Sequence, residues 1–306
     1  MKIRILSVLG LWLAVAALSA ETFRVVAYNV ENYLDQPTES RREVKSEASK
    51  AKVREVILTA KPDVLVMPEI GRESALLELR DSLKAAGLDL PHHEIVPGWD
   101  TNIHVAVLSR FPITARNSHT NDTFLLGGRR FHVSRGFAEV EITVNPNYKF
   151  TVFGAHLKSK RPIPSADEAE LRLEEARLLR EKIDAVLAKN PNANLVVAGD
   201  LNDTYDQPPI KAIMGRGRNM LTDLRPAERN GDDQPNPANP RWSPRNIVWT
   251  HYFGREDSYS RIDYLLVSPG MAREVIAEQT YIPTVANWGI GSDHRAIVAT
   301  FHAEDR

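Results

Sequence analysis

The run "NLVVAGDLN" at residues 194–202 decides how this chain is read. Leu195, Val196, Val197 and Ala198 form a short unbroken apolar stretch, which suits a strand buried on both faces. It stops at Asp200 and Asn202, so a carboxylate and an amide stand where the strand runs out. The layout recurs. "TFRVVAYNV" (22–30) carries Asn29 at its end, "PDVLVMPEI" (62–70) carries Glu69, and "FTVFGAHL" (150–157) carries His156. "SRIDYLLVS" (260–268) contains Asp263, and the pair Asp293-His294 precedes "AIVATFHA" (296–303). One Asp or Asn after a strand is usually a turn former. Six strand-associated segments offering only Asn, Asp, Glu and His describe a common site, at the strand ends where α/β sheets bind ligands.

Helical patterns alternate with these strands. Apolar spacing predicts a helix within 40–60 and another over 72–86, ended by Gly87. Ser165-x-x-Glu168 has the form of a capping box opening a long helix to Lys189, stopped by Asn190-Pro191. Further strands are expected at 103–113 and 135–144, while His92 and His93 fall in a polar loop. Strands and helices intermingle with no break in composition, which favours one α/β domain over residues 21–306. The longest irregular segment is 230–246, with four prolines. The basic segments "GGRRFHVSRG" (127–136) and "KSKRPIPS" (158–165) read as loops able to line a phosphate site.

Residues 1–20 have the layout of a secretory signal peptide: Lys2 and Arg4, an apolar run from Ile5 to Leu18, then small residues. Cleavage is expected after Ser19 or Ala20, releasing an exported, secreted or periplasmic protein with no membrane insertion. The chain has no Cys, which removes disulfides, thiol nucleophiles and thiolate metal ligands. It carries 39 Lys+Arg and 40 Asp+Glu. Loss of Lys2 and Arg4 leaves 37 against 40, a net charge of −3. A nucleic-acid footprint on such a chain depends on local basic patches.

Carboxylate oxygens suit Mg²⁺, Mn²⁺ or Ca²⁺, and the lack of Cys and of a His-x-x-x-His spacing argues against zinc. A neutral Asn hydrogen-bonds a phosphate oxygen without repelling it, and His moves a proton near neutral pH. Together these groups describe phosphoester hydrolysis. There is no Gly-x-Ser-x-Gly elbow, Walker loop or dinucleotide fingerprint.

The segments "AYNVENYLD", "PDVLVMPEIG", "VAVLSRFPI", "FGAHLKSKR", "VVAGDLNDTYDQPPI", "SRIDYLLVS" and "GSDHRAI", in this order, resemble the deoxyribonuclease I-like endonuclease/exonuclease/phosphatase family. The resemblance spans residues 23–301 and implies a four-layer α/β/β/α sandwich. It makes Glu69 the direct ligand of Mg²⁺ or Mn²⁺ (Ca²⁺ being a further option), with Asn29 beside it and Asp293 helping. It assigns Asp200 to the attacking water and Asn202 and His156 to the phosphate. It also gives His294 phosphate contact and proton transfer, its ring fixed by Asp263. Either Asp200 or His294 serves as base. Lys158, Arg135 and Tyr252 are the candidate substrate contacts. The family commonly has Gln-Glu where this chain has Pro68-Glu69. The expected substrate is DNA or RNA. A phosphatase or lipid phosphodiesterase, and a catalytically silent binding protein, are the alternatives on the same scaffold.

Overall fold

A computed structural model describes residues 21–229, 238–239 and 246–306. The expected signal peptide and most of the proline-rich segment lie outside the described residues. Seven strands form one sheet: Thr22–Ala27 (β1), Val64–Ile70 (β2), His92–Val96 (β3), His104–Ser109 (β4), Ala227–Glu228 (β12), Tyr281–Ile282 (β16) and Ile297–His302 (β17). Their spatial order is β12-β16-β17-β1-β2-β4-β3. Six form the second, ordered β11-β15-β10-β9-β8-β5. These are Ile113–Arg116 (β5), Ala138–Asn145 (β8), Tyr148–His156 (β9), Leu195–Asp200 (β10), Thr222–Asp223 (β11) and Asp263–Val267 (β15).

Strand alternation builds three cores. On β1, Phe23, Val25 and Ala27 meet Val140, Phe150 and Val152 of the second sheet, while Val26 faces the other way. Val26, with Leu65 and Met67, packs on two helices, Glu47–Ala60 (α1) and Glu73–Ala85 (α2). On the second sheet, Phe153, Ala155 and Val197 pack on Glu168–Lys189 (α3) and Pro208–Met214 (α4). The result is the expected single-domain α/β/β/α sandwich. Among the described residues, no helix is long and apolar enough to cross a membrane.

Some local readings change. Asp167, not Ser165, caps α3: its carboxylate accepts from the backbone N–H groups of Ala169 and Glu170, at 2.8 and 3.1 Å. The run 103–113 divides between the sheets, β4 in the first and β5 in the second, because Arg110-Phe111-Pro112 turns the chain. His92 and His93 belong to β3, an edge strand, rather than a loop. The basic segment 127–136 is half of a hairpin, Thr123–Leu126 (β6) paired with Arg129–His132 (β7) through Gly127-Gly128. A second hairpin, His251–Phe253 (β13) with Ser258–Ser260 (β14), precedes β15.

Candidate active site

The ends of β1, β2, β9, β10 and β15, and the turn before β17, meet at one edge of the two sheets. Asn29 sits at the junction. Its side-chain nitrogen donates to Asp200 Oδ2 (3.0 Å) and Glu69 Oε1 (3.3 Å) and lies 3.4 Å from His294 Nε2. Its oxygen accepts from the Glu31 N–H, so the amide presents donors to the site. His156 Nε2 is 3.6 Å from Asp200 and 3.8 Å from Glu69. His294 Nδ1 lies 2.8 Å from Asp263 Oδ2, and its Nε2 is 3.7 Å from Asp200 and 3.8 Å from Asp293. Asn202 donates from its backbone to Asp200 and from its side chain to the Leu157 carbonyl.

Local backbone geometry explains the placement. Among the described residues, four of the eight non-glycine residues with positive φ are at this edge: Glu31, Asn32, Glu69 and Asn202. Such conformations persist where surrounding structure holds them, and functional sites concentrate them. Glu69 occupies a register shift between Pro68 and Ile70 opposite β4. A bulge tolerates the missing N–H of Pro68, and it turns the Glu69 carboxylate out of the sheet. Gly199 is required just before Asp200. Its φ is +135°, and a Cβ there would meet the Ala155 carbonyl oxygen at 2.1 Å.

Burial and mutual charge push these groups apart. Burial raises the Asp200 carboxyl to about 7, with Asp263 and Glu69 adding to the rise and His294 opposing it. For His294, burial disfavours the cation, but the carboxylates of Asp263, Asp200 and Asp293 outweigh it and raise its pKa well above the usual value. Burial, then the charge of Arg135, lowers His156 well below the usual histidine range and keeps it neutral. Asp293 would rise through burial, yet its bond to His251 and the His294 charge bring it below the ordinary carboxylate value.

The donor set fits a hard divalent cation. Glu69, Asp200 and Asp293 bring carboxylate oxygens to one edge, and the ligand atoms of two groups cluster within 4.8 Å: Asp200, Asp263 and His294, and His251, Asp293 and His294.

The candidate substrate contacts fall around this centre. Lys158 follows β9 and donates from Nζ to the carbonyls of Ser159 and Arg161, at 2.9 Å each. Buried Arg135 reaches Leu157 O at 3.5 Å and Asp100 at 3.5 Å. Tyr252, on β13, lies against Tyr259 with ring centroids 4.9 Å apart and planes tilted by 33°, and its backbone N–H donates to Asp293 O.

Several residues here carry no strand-end signature. His251 bridges to His294 in the backbone pairing, and its Nε2 is 3.6 Å from Asp293. Glu31 Oε2 accepts the Asp293 N–H, and Lys45 Nζ donates to Glu31 O at 2.7 Å. Beneath the site, buried Glu175 of α3 accepts the backbone N–H of Ser134 (2.8 Å) and of Lys158 (2.6 Å). Each buried bond of this charge-assisted kind contributes about 1.5–3 kcal/mol. Glu175 thereby fixes both basic segments to one helix. Arg172 reinforces it, joining Asp203 (2.9 Å) to Lys158 O (3.1 Å).

Comparison with known proteins agrees with this architecture. Truncated TDP2 of Caenorhabditis elegans superposes with a TM-score of 0.57 at 17% identity, covering 92% of this chain and 98% of that one. The human nocturnin catalytic domain, solved with a bound sulfate anion, gives 0.61 at 14% identity, covering 92% and 94%. An endonuclease/exonuclease/phosphatase from Beutenbergia cavernae gives 0.58 at 18% identity, covering 92% and 72%. At these identities the likeness speaks to the fold. No curated protein matches in sequence. The family model described as "Endonuclease/Exonuclease/phosphatase family" matches residues 26–294, from Asn29 through His294 every strand-end polar residue included. With that match, the chain belongs to the endonuclease/exonuclease/phosphatase family and is a phosphoester hydrolase.

Proposed function

We propose that the protein is an exported nuclease, a phosphodiester hydrolase dependent on Mg²⁺ or Mn²⁺. The observation that carries this reading is the convergence of Glu69, Asp200 and His294 on the Asn29 amide. Carboxylates and a paired histidine from both sheets thus surround one small space. Glu69 and Asp293 would hold the cation, which when bound supplies positive charge against the phosphate oxygens. Asp200, with its carboxyl near 7, is suited to take the proton of the attacking water. The water oxygen forms the new bond to phosphorus. The opposite P–O ester bond breaks, and the leaving oxygen takes a proton from solvent water, giving a phosphomonoester and a free hydroxyl. His294, held cationic by Asp263, donates to the phosphate as charge develops, and neutral His156 donates from the other side. Environments that push an acid up and a histidine further up separate base from donor in this way.

Nucleic acid as substrate is supported by basic side chains, chiefly Arg135 and Lys158, in a groove that also contains Asn32, whose backbone N–H bonds Glu69. A panel of single-stranded DNA, duplex DNA, RNA and small phosphomonoesters tests it. Nucleic acid should be cleaved with Mg²⁺ or Mn²⁺, cleavage should stop with chelator, and metal should restore it. Phosphate release from monoesters alone would make the protein a phosphatase and overturn the proposal.

Export rests on the basic, apolar and small-residue layout of residues 1–20. Mass spectrometry of protein recovered outside the producing cytoplasm should show a chain beginning at Ala20 or Glu21. An intact Met1 chain retained in the cytoplasm would contradict it.

A further inference from the structure

Beside the catalytic edge runs a groove of about 810 Å³ whose floor and walls include Arg41, Arg135, Lys158, Arg161 and Trp99. It adjoins the Glu69 end of the site. Asn32 lines it, and the Asn32 backbone N–H donates to Glu69 Oε2 at 3.0 Å. Asp100 is the one carboxylate in the lining, and it lies 3.7 Å from Arg41 and 3.5 Å from Arg135. Four cations against one anion leave the groove locally positive on a chain that is slightly acidic as a whole.

Trp99 is the unusual member. It is 68% exposed, the most exposed of the large hydrophobic side chains among the described residues. Its indole does not wave freely: it stacks on His132 with ring centroids 4.0 Å apart and planes 8° from parallel. The backbone beneath it is clamped. Asp100 N–H donates to Ser134 O at 2.8 Å, and Gly98 packs so closely that a Cβ there would meet Arg135 Cα at 2.5 Å. Leaving a large indole in water forgoes its burial, and holding it flat costs side-chain freedom. An aromatic face fixed in orientation, open to solvent and bordered by cations matches the two parts of a nucleotide. A base has a π-face to stack, and its phosphates take the guanidinium and ammonium groups.

We infer that the open face of Trp99, backed by His132, is a stacking shelf for an unpaired nucleobase near the scissile phosphodiester, making single-stranded nucleic acid the preferred substrate. This rests on the nuclease reading above and narrows it. A base inside a duplex is already stacked on its neighbours, and offering its face to Trp99 requires unstacking it first. Arg41 and Arg161 take the flanking phosphates. Arg135, pinned by Leu157 O and Asp100, keeps the groove wall in place.

The test compares wild type, Trp99→Ala and Trp99→Phe on three probes. These are a single-stranded oligodeoxynucleotide, the same sequence as duplex, and an equally long phosphodiester strand in which every nucleoside is an abasic tetrahydrofuran. Trp99→Ala should raise KM on the single strand by about 10- to 100-fold with kcat little changed. It should leave the abasic strand unaffected, and Trp99→Phe should restore most of the loss. An equal effect of Trp99→Ala on the abasic strand would assign Trp99 a structural role and overturn the shelf. So would an unchanged KM on the single strand, or a wild type that prefers duplex. Binding in chelator, read by anisotropy of a labelled single strand, separates this from the nuclease reading. A wild type that binds the strand through Trp99 but cleaves no nucleic acid sinks the nuclease proposal and keeps the shelf. Equal binding by wild type and Trp99→Ala sinks the shelf alone. Hydrolysis of phosphatidylcholine or sphingomyelin vesicles that depends on Trp99 would make the face a lipid contact and overturn the inference.

Discussion

Asp200→Asn is expected to lower kcat/KM for phosphodiester hydrolysis by about 10²–10⁴-fold, the range a positioned base contributes. The substitution keeps the size of the side chain and removes its ability to take a proton. Asp200 is almost fully buried at the end of β10, in register with His156 on one side and Asp263 on the other. That position explains its raised carboxyl. The sign of the pH dependence follows. The active form is the carboxylate, so activity rises with pH through the Asp200 titration, about 7 before metal binds. Bound metal favours the carboxylate, so the acid limb lies lower and moves with metal concentration. Rate profiles at two Mg²⁺ concentrations, with circular dichroism to show an intact fold, check this. A variant with near-wild-type activity would remove Asp200 from the role of base.

His294 gives the second large effect, of a different kind. His294→Ala should lose about 10²–10³-fold in kcat through the missing phosphate contact. Unlike Asp200→Asn, it should also lower stability by about 3–5 kcal/mol, because Asp263 then keeps a buried charge with no partner. Asp263 is 1% exposed, and its Oδ2 is 2.8 Å from the ring. Asp263→Asn together with His294→Gln removes charge and partner at once, and should recover stability while remaining inactive. Asp263→Asn alone withdraws the leading carboxylate that raises His294, so the cation persists only to a lower pH. The alkaline limb of the rate profile then moves down. Denaturant unfolding of the three variants and one pH profile decide the matter. If the limb stays fixed, Asp263 does not set the protonation of His294.

Much of this architecture was legible because short buried strands write themselves as unbroken apolar runs, and a polar residue closing such a run is conspicuous. Asn29, Glu69, His156 and Asp200 all stand out in that way, and Asp263 as the one carboxylate within the run 260–268. His251 did not, since β13 is three residues long and carries no apolar run. Glu175 and Arg172 were hidden in a long helix, where a charged residue normally faces water. Only the packing of α3 on the second sheet turns them inward. The pairing of Trp99 with His132 joins a loop to a hairpin, a contact that no local pattern encodes. Asp167 displaced Ser165 as cap because helix starts are decided by backbone geometry within a residue or two, finer than spacing resolves.

The pairing of β1 with β17, Thr22 opposite His302 along to Ala27 opposite Ile297, ties the beginning of the folded chain to its end. Synthesis runs in one direction, so a nascent chain can carry Asn29, Glu69, His156 and Asp200 long before Asp293 and His294 exist. Those two arrive just ahead of β17, the strand that flanks β1. A chain cut before Asp293 therefore lacks both this histidine and β17. Order of synthesis and order in the sheet thus differ: the strand beside β1 is made after every other described strand, and the histidine that completes the site comes with it.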